Sequence, residues 1–135
     1  MTTKSKKTAP VRQAFDFRTI KTAEDAFKKT GYDSSKLPDL SMIPEKFRAQ
    51  LTTCFLLMVI FEAINDGWEP DFSNHNQGKY YPWPWVLSSG FGFSSAGYGY
   101  ACAHAIVGSR LCFESEDKAR HAGNQFLDLY KQFLT

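Results

Sequence analysis

An apolar segment at residues 44–67 limits the possible folds of this chain more than any other part. Its turns between residues 56 and 60 are apolar on nearly all sides. A period near 3.6 predicts an α-helix, with Pro44 at its first position and Gly67 just past its end. A helix that is apolar on several sides must be covered on several sides, so we expect a central helix with a sheet on one side and other helices or a partner subunit on another. The periodic residues are Phe47, Leu51, Cys54, Phe55, Met58, Phe61 and Ile64.

Two further helices are predicted from their capping signals. Thr22, with Asp25 three residues later, forms a variant of the capping box, and Gly31 provides the stop for a helix over residues 23–30. Ser115 stands as the N-cap of a C-terminal helix that continues through the last turn of the chain. The core positions of that helix recur at spacings of three and four, and they are Ala119, Ala122, Phe126, Leu129 and Phe133.

A stretch rich in glycine and aromatic residues, 79–99, and the residues that follow it, up to 113, supply the predicted strands. Residues 79–87 are β-prone, but Pro82 and Pro84 lack ladder donors, which favours an edge strand or an extended segment. Residues 90–93 and 98–106 are weaker strand candidates, and residues 110–113 are the clearest short strand. The sequence therefore predicts an α+β fold, in which a small antiparallel sheet of three or four short strands packs on a long central helix and a C-terminal helix.

Charge divides the chain into two parts. Residues 1–21 hold six basic residues against one acidic residue, whereas the rest of the chain is mildly acidic. Residues 1–18 offer little apolar surface to offset the entropy of ordering, so we predict a basic, disordered N-terminal arm followed by a single domain at residues 19–135. The basic residues of the arm available for contact with nucleic acid are Lys4, Lys6, Lys7 and Arg12.

Aromatic side chains of the glycine-rich stretch form the candidate binding face. Such a face either packs on the central helix as core or remains exposed to contact a partner or ligand. A phosphate-binding loop is excluded, because the glycine spacings match neither GxGxxG nor GxxxxGK[ST]. Aromatic stacking of bases is an alternative, although Lys79 is the one cation between Asp71 and Ser109. The candidate face consists of Tyr80, Tyr81, Trp83, Trp85, Phe91 and Phe93.

Potential metal and catalytic groups occur in two places without a recognised spacing. Asp71 and His75 lie in a turn-rich connection, where a polar linker with Asx turns is the alternative to a metal or general-base pair. The second group is formed by two cysteines and two histidines between residues 102 and 121, of which only Cys102 and His104 are close in sequence. Structural zinc sites show paired CxxC or HxxxH spacings, which this group lacks. We therefore predict no enzyme activity, no metal and no cofactor. The members of the second group are Cys102, His104, Cys112 and His121.

Cellular location is predicted from the cysteines and from the first residues. Three cysteines and no apolar leader favour reduced thiols inside a cell. The longest unbroken apolar run, residues 54–61, is far shorter than the roughly 20 residues of a membrane span. We expect a cytoplasmic protein that does not contact a membrane.

Four segments give the chain a resemblance to a known group of proteins, over roughly residues 17–134. The chain resembles a family of small uncharacterised proteins encoded by bacteriophages and prophages. The resemblance implies a phage or prophage origin and an α+β domain, and it transfers no catalytic residues. The segments are IPEKFRAQL, NDGWEPDF, KYYPWPWVLSSGFGF and GSRLCFESEDKARHAGNQFLDLYKQFL.

Two functional hypotheses follow. The first is a non-enzymatic phage accessory or virion-associated protein whose aromatic face contacts a protein partner or its own copy, as a homodimer or higher oligomer. The second is a binder of nucleic acid or of a nucleotide-like molecule, which uses aromatic stacking and the basic arm. Binding to nucleic acid would weaken steeply with salt and on deletion of residues 1–18, whereas a protein interface would depend on the aromatic residues.

Overall fold

The computed structural model describes residues 14–74, 76–87, 90–99 and 111–135, and for residues 83–87 and 90–99 it describes the backbone alone. A short 3₁₀ helix, Phe17–Thr19, leads into four α-helices and a β-hairpin. The helices are α1 (Ala23–Thr30), α2 (Glu45–Asn65), α3 (Glu116–Gln125) and α4 (Leu127–Leu134), and the strands are β1 (Lys79–Leu87) and β2 (Gly90–Gly99).

The core is built around the second half of α2, where Phe61 and Ile64 are the only two of the seven periodic positions that are buried. Leu57, Ile60, Phe61 and Ile64 are almost fully buried there. The Phe61 ring stacks on the Phe113 ring, with centroids 4.2 Å apart and an interplanar angle of 20°. Other helices cover the same side, and their buried residues are Ala26 and Phe27 of α1, Ala119 and Ala122 of α3, and Tyr130 of α4.

The predicted bounds and caps of α1 are confirmed. The Thr22 hydroxyl accepts a hydrogen bond from the Asp25 amide, and the Asp25 carboxylate accepts one from the Thr22 amide, which is the reciprocal capping box. Gly31 ends the helix with a φ of 80°, a left-handed conformation that glycine adopts without strain.

At the C-terminus the structure has two helices where the sequence predicts one. Ser115 caps α3 through a hydrogen bond from the Lys118 amide, as predicted. Phe126 interrupts the helix, with φ −112° and ψ 31°, and its side chain is buried in the core. After the break α4 packs against α2, where the Gln50 side-chain amide donates to the Phe133 carbonyl over 2.7 Å.

The prediction of an α+β fold with three or four strands is wrong. In the described part of the chain the fold is mainly helical, and the sheet is a two-stranded antiparallel hairpin of β1 and β2. The predicted break between strands at residues 94–97 does not occur, since β2 continues through it. Instead the register shifts between Trp83 and Pro84, so that Ser94 becomes an extra residue opposite a proline that has no N–H to donate.

The predicted strand at residues 110–113 is also wrong where it is described. Phe113 alone forms a bridge, exchanging two backbone hydrogen bonds of 3.0 and 2.7 Å with Tyr80. The neighbouring backbone groups are instead bound by a side chain at the end of α2. The Asn65 amide donates to the Cys112 carbonyl over 2.9 Å, and its oxygen accepts from the Glu114 amide over 3.2 Å.

The basic arm lies almost wholly outside the described residues, and so do the candidate contact residues Lys4, Lys6, Lys7 and Arg12. The segment that follows them packs on the domain. The Phe15 ring lies 4.0 Å from the Lys29 ammonium, and the Phe17 ring lies edge-on to the His121 ring at 5.6 Å. Of the predicted strand at residues 98–106, residues 98 and 99 belong to β2, and residues 100–106 lie outside the described part of the chain.

Candidate interaction surface

An apolar stripe on the outer face of α2 is exposed to solvent. Phe47, Leu51 and Met58 are 46%, 43% and 45% exposed, and Cys54 and Phe55 between them are half-buried. At 100° per residue these positions fall on one face of the helix. We call these five residues the α2 stripe. The opposite face of α2 is buried from Thr53 onward, whereas residues 45–51 are exposed on all sides of the helix.

A groove of about 640 Å³ adjoins the C-terminal half of the stripe. One wall is α2, and the other is the connection that follows it, together with Tyr32 from the loop after α1. Its volume lies in the range of sites that hold a small ligand or a few side chains. The residues that line it are mainly aromatic or apolar, with two carboxylates, and they are Tyr32, Phe55, Met58, Val59, Phe61, Glu62, Asn65, Trp68, Glu69, Pro70 and Phe72.

The groove carries negative charge. Glu62 and Glu69 line it without a lysine or arginine beside them in the lining, and neither forms a salt bridge within the described ranges. The Tyr32 hydroxyl donates to the Glu62 carboxylate, with 2.9 Å to each oxygen. This hydrogen bond to an acceptor raises the pKa of the Tyr32 phenol. Asp66 nearby is already paired with Lys29 at 2.7 Å.

The other end of the α2 stripe is basic. The Lys46 ammonium lies 4.9 Å from the centre of the Phe47 ring, and Arg48 donates to the Ile43 and Ser41 carbonyls over 2.7 and 3.2 Å. Neither cation pairs with a carboxylate in the part of the chain that is described. Glu45 is two positions from Phe47 and so lies on the opposite side of the helix. The stripe therefore runs from a basic end to an acidic end.

The connection that forms the far wall of the groove is held by a buried lysine. The Lys79 ammonium donates to the Asn74 and Gln77 carbonyls over 3.3 and 3.1 Å and lies 5.3 Å from the Phe72 ring centre. Asp71 accepts from the Ser73 amide and hydroxyl, and these hydrogen bonds lower the pKa of its carboxyl. Asp71 thus forms the Asx turn that the sequence offers as the alternative to a catalytic or metal role.

The potential metal ligands considered from the sequence are not brought together among the described residues, where no three His, Cys, Asp or Glu side chains cluster. His75, Cys102 and His104 fall outside them. His121 lies 2.8 Å from the Ile20 carbonyl and serves to join α3 to the N-terminal segment. Burial raises the pKa of the Cys112 thiol to about 11, so this thiol is protonated and packed at neutral pH.

The predicted aromatic face is described at two of its six positions. Tyr81 is buried in the core, and Tyr80 is half-buried against it and bonded to Phe113. For Trp83, Trp85, Phe91 and Phe93 the structure gives backbone positions on the hairpin and no side chains. Their role as a contact face stays a prediction.

Sequence reasoning did not find the groove. The one signal available was the presence of Trp68 and Phe72 close to Glu69 in the connection that follows α2. Tyr32 is 30 positions from Glu62, and no local pattern joins the two. The apolar excess of α2 was visible in the sequence, but the identity of the apolar residues that remain exposed was not.

By length and composition, α2 also meets the criterion for a helix that crosses a membrane. Its most apolar window has a mean hydropathy of 1.6, and 39% of that window is buried inside the protein. The core helix of a soluble protein meets the same criterion. Contact between the α2 stripe and lipid is therefore one of the outcomes that the experiments below must distinguish.

Comparisons with known proteins give no relative. No family model matches the chain, and neither the curated proteins nor the solved structures contain a match.

Proposed function

We propose that this chain is a non-enzymatic interaction protein that binds a protein through the α2 stripe and the adjoining groove. The observation that carries the proposal is the exposure of Phe47, Leu51 and Met58 along one helix face, beside a groove rich in aromatic residues. Contiguous exposed apolar surface beside aromatic residues is typical of protein interfaces. The aromatic face of the hairpin then stands as a second contact surface, or as an extension of the first.

Charge favours a protein over a nucleic acid at this surface. Glu62 and Glu69 would repel phosphate groups, and the cations at the opposite end of the stripe are few. Binding of nucleic acid through the arm residues Lys4, Lys6, Lys7 and Arg12 would use another part of the chain. We keep it as the alternative that the experiment must be able to detect.

The biological setting that we propose rests on the resemblance to phage and prophage proteins. In that setting the chain acts in the cytoplasm of a host cell or in association with a virion, as an accessory protein. Its mode of action is contact with another protein and not turnover of a substrate.

Photo-crosslinking in the cells that make the protein tests this proposal. The residue p-benzoylphenylalanine is placed at position 51, on the stripe, or at position 37, an exposed leucine outside the groove lining. Leu37 is 48% exposed, close to the 43% of Leu51, so the two positions are matched in chemistry and in exposure. We expect a defined protein adduct from position 51 and none from position 37.

The adduct must also depend on the other residues of the α2 stripe. Phe47→Glu places a charge on the stripe and should therefore abolish the adduct. Adducts of nucleic acid or lipid at position 51, equal adducts at both positions, or no adduct would each refute the proposed function. Deletion of residues 1–13, which removes the four arm cations but keeps the packed Phe15 and Phe17, provides a further control, because it should leave a protein adduct unchanged and remove one that depends on the basic arm.

A further inference from the structure

We propose that the groove and the α2 stripe accept a second copy of this chain, with the two α2 helices packed antiparallel across a two-fold axis. This proposal rests on the proposed function and names its partner. The occupant of the groove would be the N-terminal half of the partner copy's α2 helix, which presents an exposed phenylalanine and an exposed leucine at Phe47 and Leu51.

Charge complementarity selects the second copy and its direction. One end of the α2 stripe carries Lys46 and Arg48, and the other end carries Glu62 and Glu69 beside the groove. A parallel pairing would place like charges together, whereas an antiparallel pairing places the basic end of each helix beside the acidic end of the other. A two-fold axis creates the contact between basic and acidic ends twice in each dimer. Both partners of each contact are residues of this chain, so no other protein is needed.

The stripe also sets the register of the pairing. Glu62 follows the last residue of the stripe, Met58, by about one helical turn. It is 15 positions after Phe47, a distance of about 22 Å along the helix axis. If the two-fold axis passes between Cys54 and Phe55, Phe47 of one copy faces Glu62 of the other, and Leu51 faces Met58. The Phe47 ring then enters the mouth of the groove near Tyr32, and the Leu51 side chain covers the exposed methionine.

Association of the purified full-length protein is the first test, measured by sedimentation velocity over micromolar concentrations. We expect a dimer. Leu51→Glu should raise its dissociation constant by at least about tenfold, because it buries a carboxylate without a partner in an apolar contact. Leu37→Glu, the matched control on the exposed loop, should leave the dissociation constant unchanged. A wild-type monomer, or equal effects of the two variants, would overturn the proposal.

A charge exchange tests the direction of the helices. Lys46→Glu and Glu62→Lys should each weaken the dimer, since each places like charges together in the antiparallel arrangement. The double variant should regain most of the lost affinity, because both contacts are restored with their signs exchanged. Additive losses in the double variant would overturn the antiparallel arrangement, and circular dichroism confirms that each variant is folded.

Disulfide trapping tests the register. Leu51→Cys and Met58→Cys proteins are mixed and oxidised by air with a copper catalyst, which takes two electrons and two protons from each pair of thiols. Tryptic peptide mapping should show position 51 joined to position 58 as the main new product, because a disulfide needs Cα atoms within about 7 Å. A dominant link between two copies of position 51 would overturn the register, and the wild-type protein reveals links formed by the native cysteines.

The outcomes separate this inference from the proposed function. If position 51 crosslinks in cells to a different protein while the purified chain is monomeric, the interaction function stands and the second copy is excluded. If the purified chain is monomeric and binds neutral phospholipid vesicles in a manner that Leu51→Glu abolishes, the occupant is lipid, and both proposals fail.

Discussion

Replacement of Asn65 by alanine should destabilise the protein strongly, although the residue is neither apolar nor catalytic. Asn65 is 5% exposed at the end of α2, where it is the side chain that binds the backbone on both sides of Phe113. It thereby fixes the segment that bridges Tyr80 and places the Phe113 ring on Phe61.

The magnitude follows from the two hydrogen bonds. Asn65→Ala leaves the Cys112 carbonyl and the Glu114 amide without these partners. The first hydrogen bond is buried, and its loss costs about 1–3 kcal/mol, whereas the second is part-buried, so water replaces some of it. Since the burial cost of the asparagine amide itself is removed at the same time, we expect a net loss of about 1–3 kcal/mol in the free energy of unfolding. That is a large share of the roughly 5–15 kcal/mol typical of a single domain.

Urea denaturation followed by circular dichroism measures this loss. Asn74→Ala is the matched control, because the Asn74 side chain also accepts a backbone hydrogen bond, from the Asn76 amide, but on the exposed surface where water replaces it. Asn65→Asp adds a second check, since its carboxylate would face the Cys112 carbonyl and should destabilise more at neutral pH than in acid. A loss in Asn65→Ala no greater than in Asn74→Ala would refute the assignment.

Three further predictions concern the caps, the core and a thiol. Thr22→Ala should lower the free energy of unfolding by about 1 kcal/mol, because it breaks the capping box, and urea denaturation would refute this if it showed no change. Phe113→Ala should cost about 3–5 kcal/mol by the same assay, more than Phe133→Ala at a half-buried position. The Cys112 thiol ionises at lower pH in the unfolded chain than in the fold, so its contribution to stability is full below pH 9.0 and is lost as pH rises through about 11. Cys112→Ala should lose less stability over that interval, and parallel curves for the two proteins would contradict the raised pKa.

The placement of the groove gives α2 two roles that depend on each other. Its inner face organises the core, and its outer face forms the candidate contact surface together with Tyr32 and Trp68. Substitutions that test binding must therefore stay on the outer face, as Leu51 and Met58 do. Changes at Leu57 or Ile60 would destabilise the core, so a loss of binding in them would report on folding and not on the contact surface.

The helices were predictable because their signals are local. The capping box of Thr22 and Asp25 joins residues three positions apart, and the apolar period of α2 is fixed within each turn. The break at Phe126 was not predictable by the same reasoning, since no glycine or proline marks it. The strand over residues 110–113 failed for a related reason, as a short β-prone run contains no information on which partner its backbone will find.

The amino-acid sequence by itself determined the caps of α1, the N-cap of α3, the extended backbone of residues 79–87, and that α2 carries more apolar surface than one face can use. These properties depend on hydrogen bonds and side-chain periods that span a few residues. The tertiary structure alone decided which apolar residues of α2 remain exposed, and that Tyr32 and Glu62 meet beside a groove. It also decided that Asn65 binds backbone 47 positions away. Such contacts join residues that are far apart in the sequence, so they depend on how all the helices and the hairpin pack together. The native packing has the lowest free energy for the whole chain, which the preferences of a single segment do not reveal.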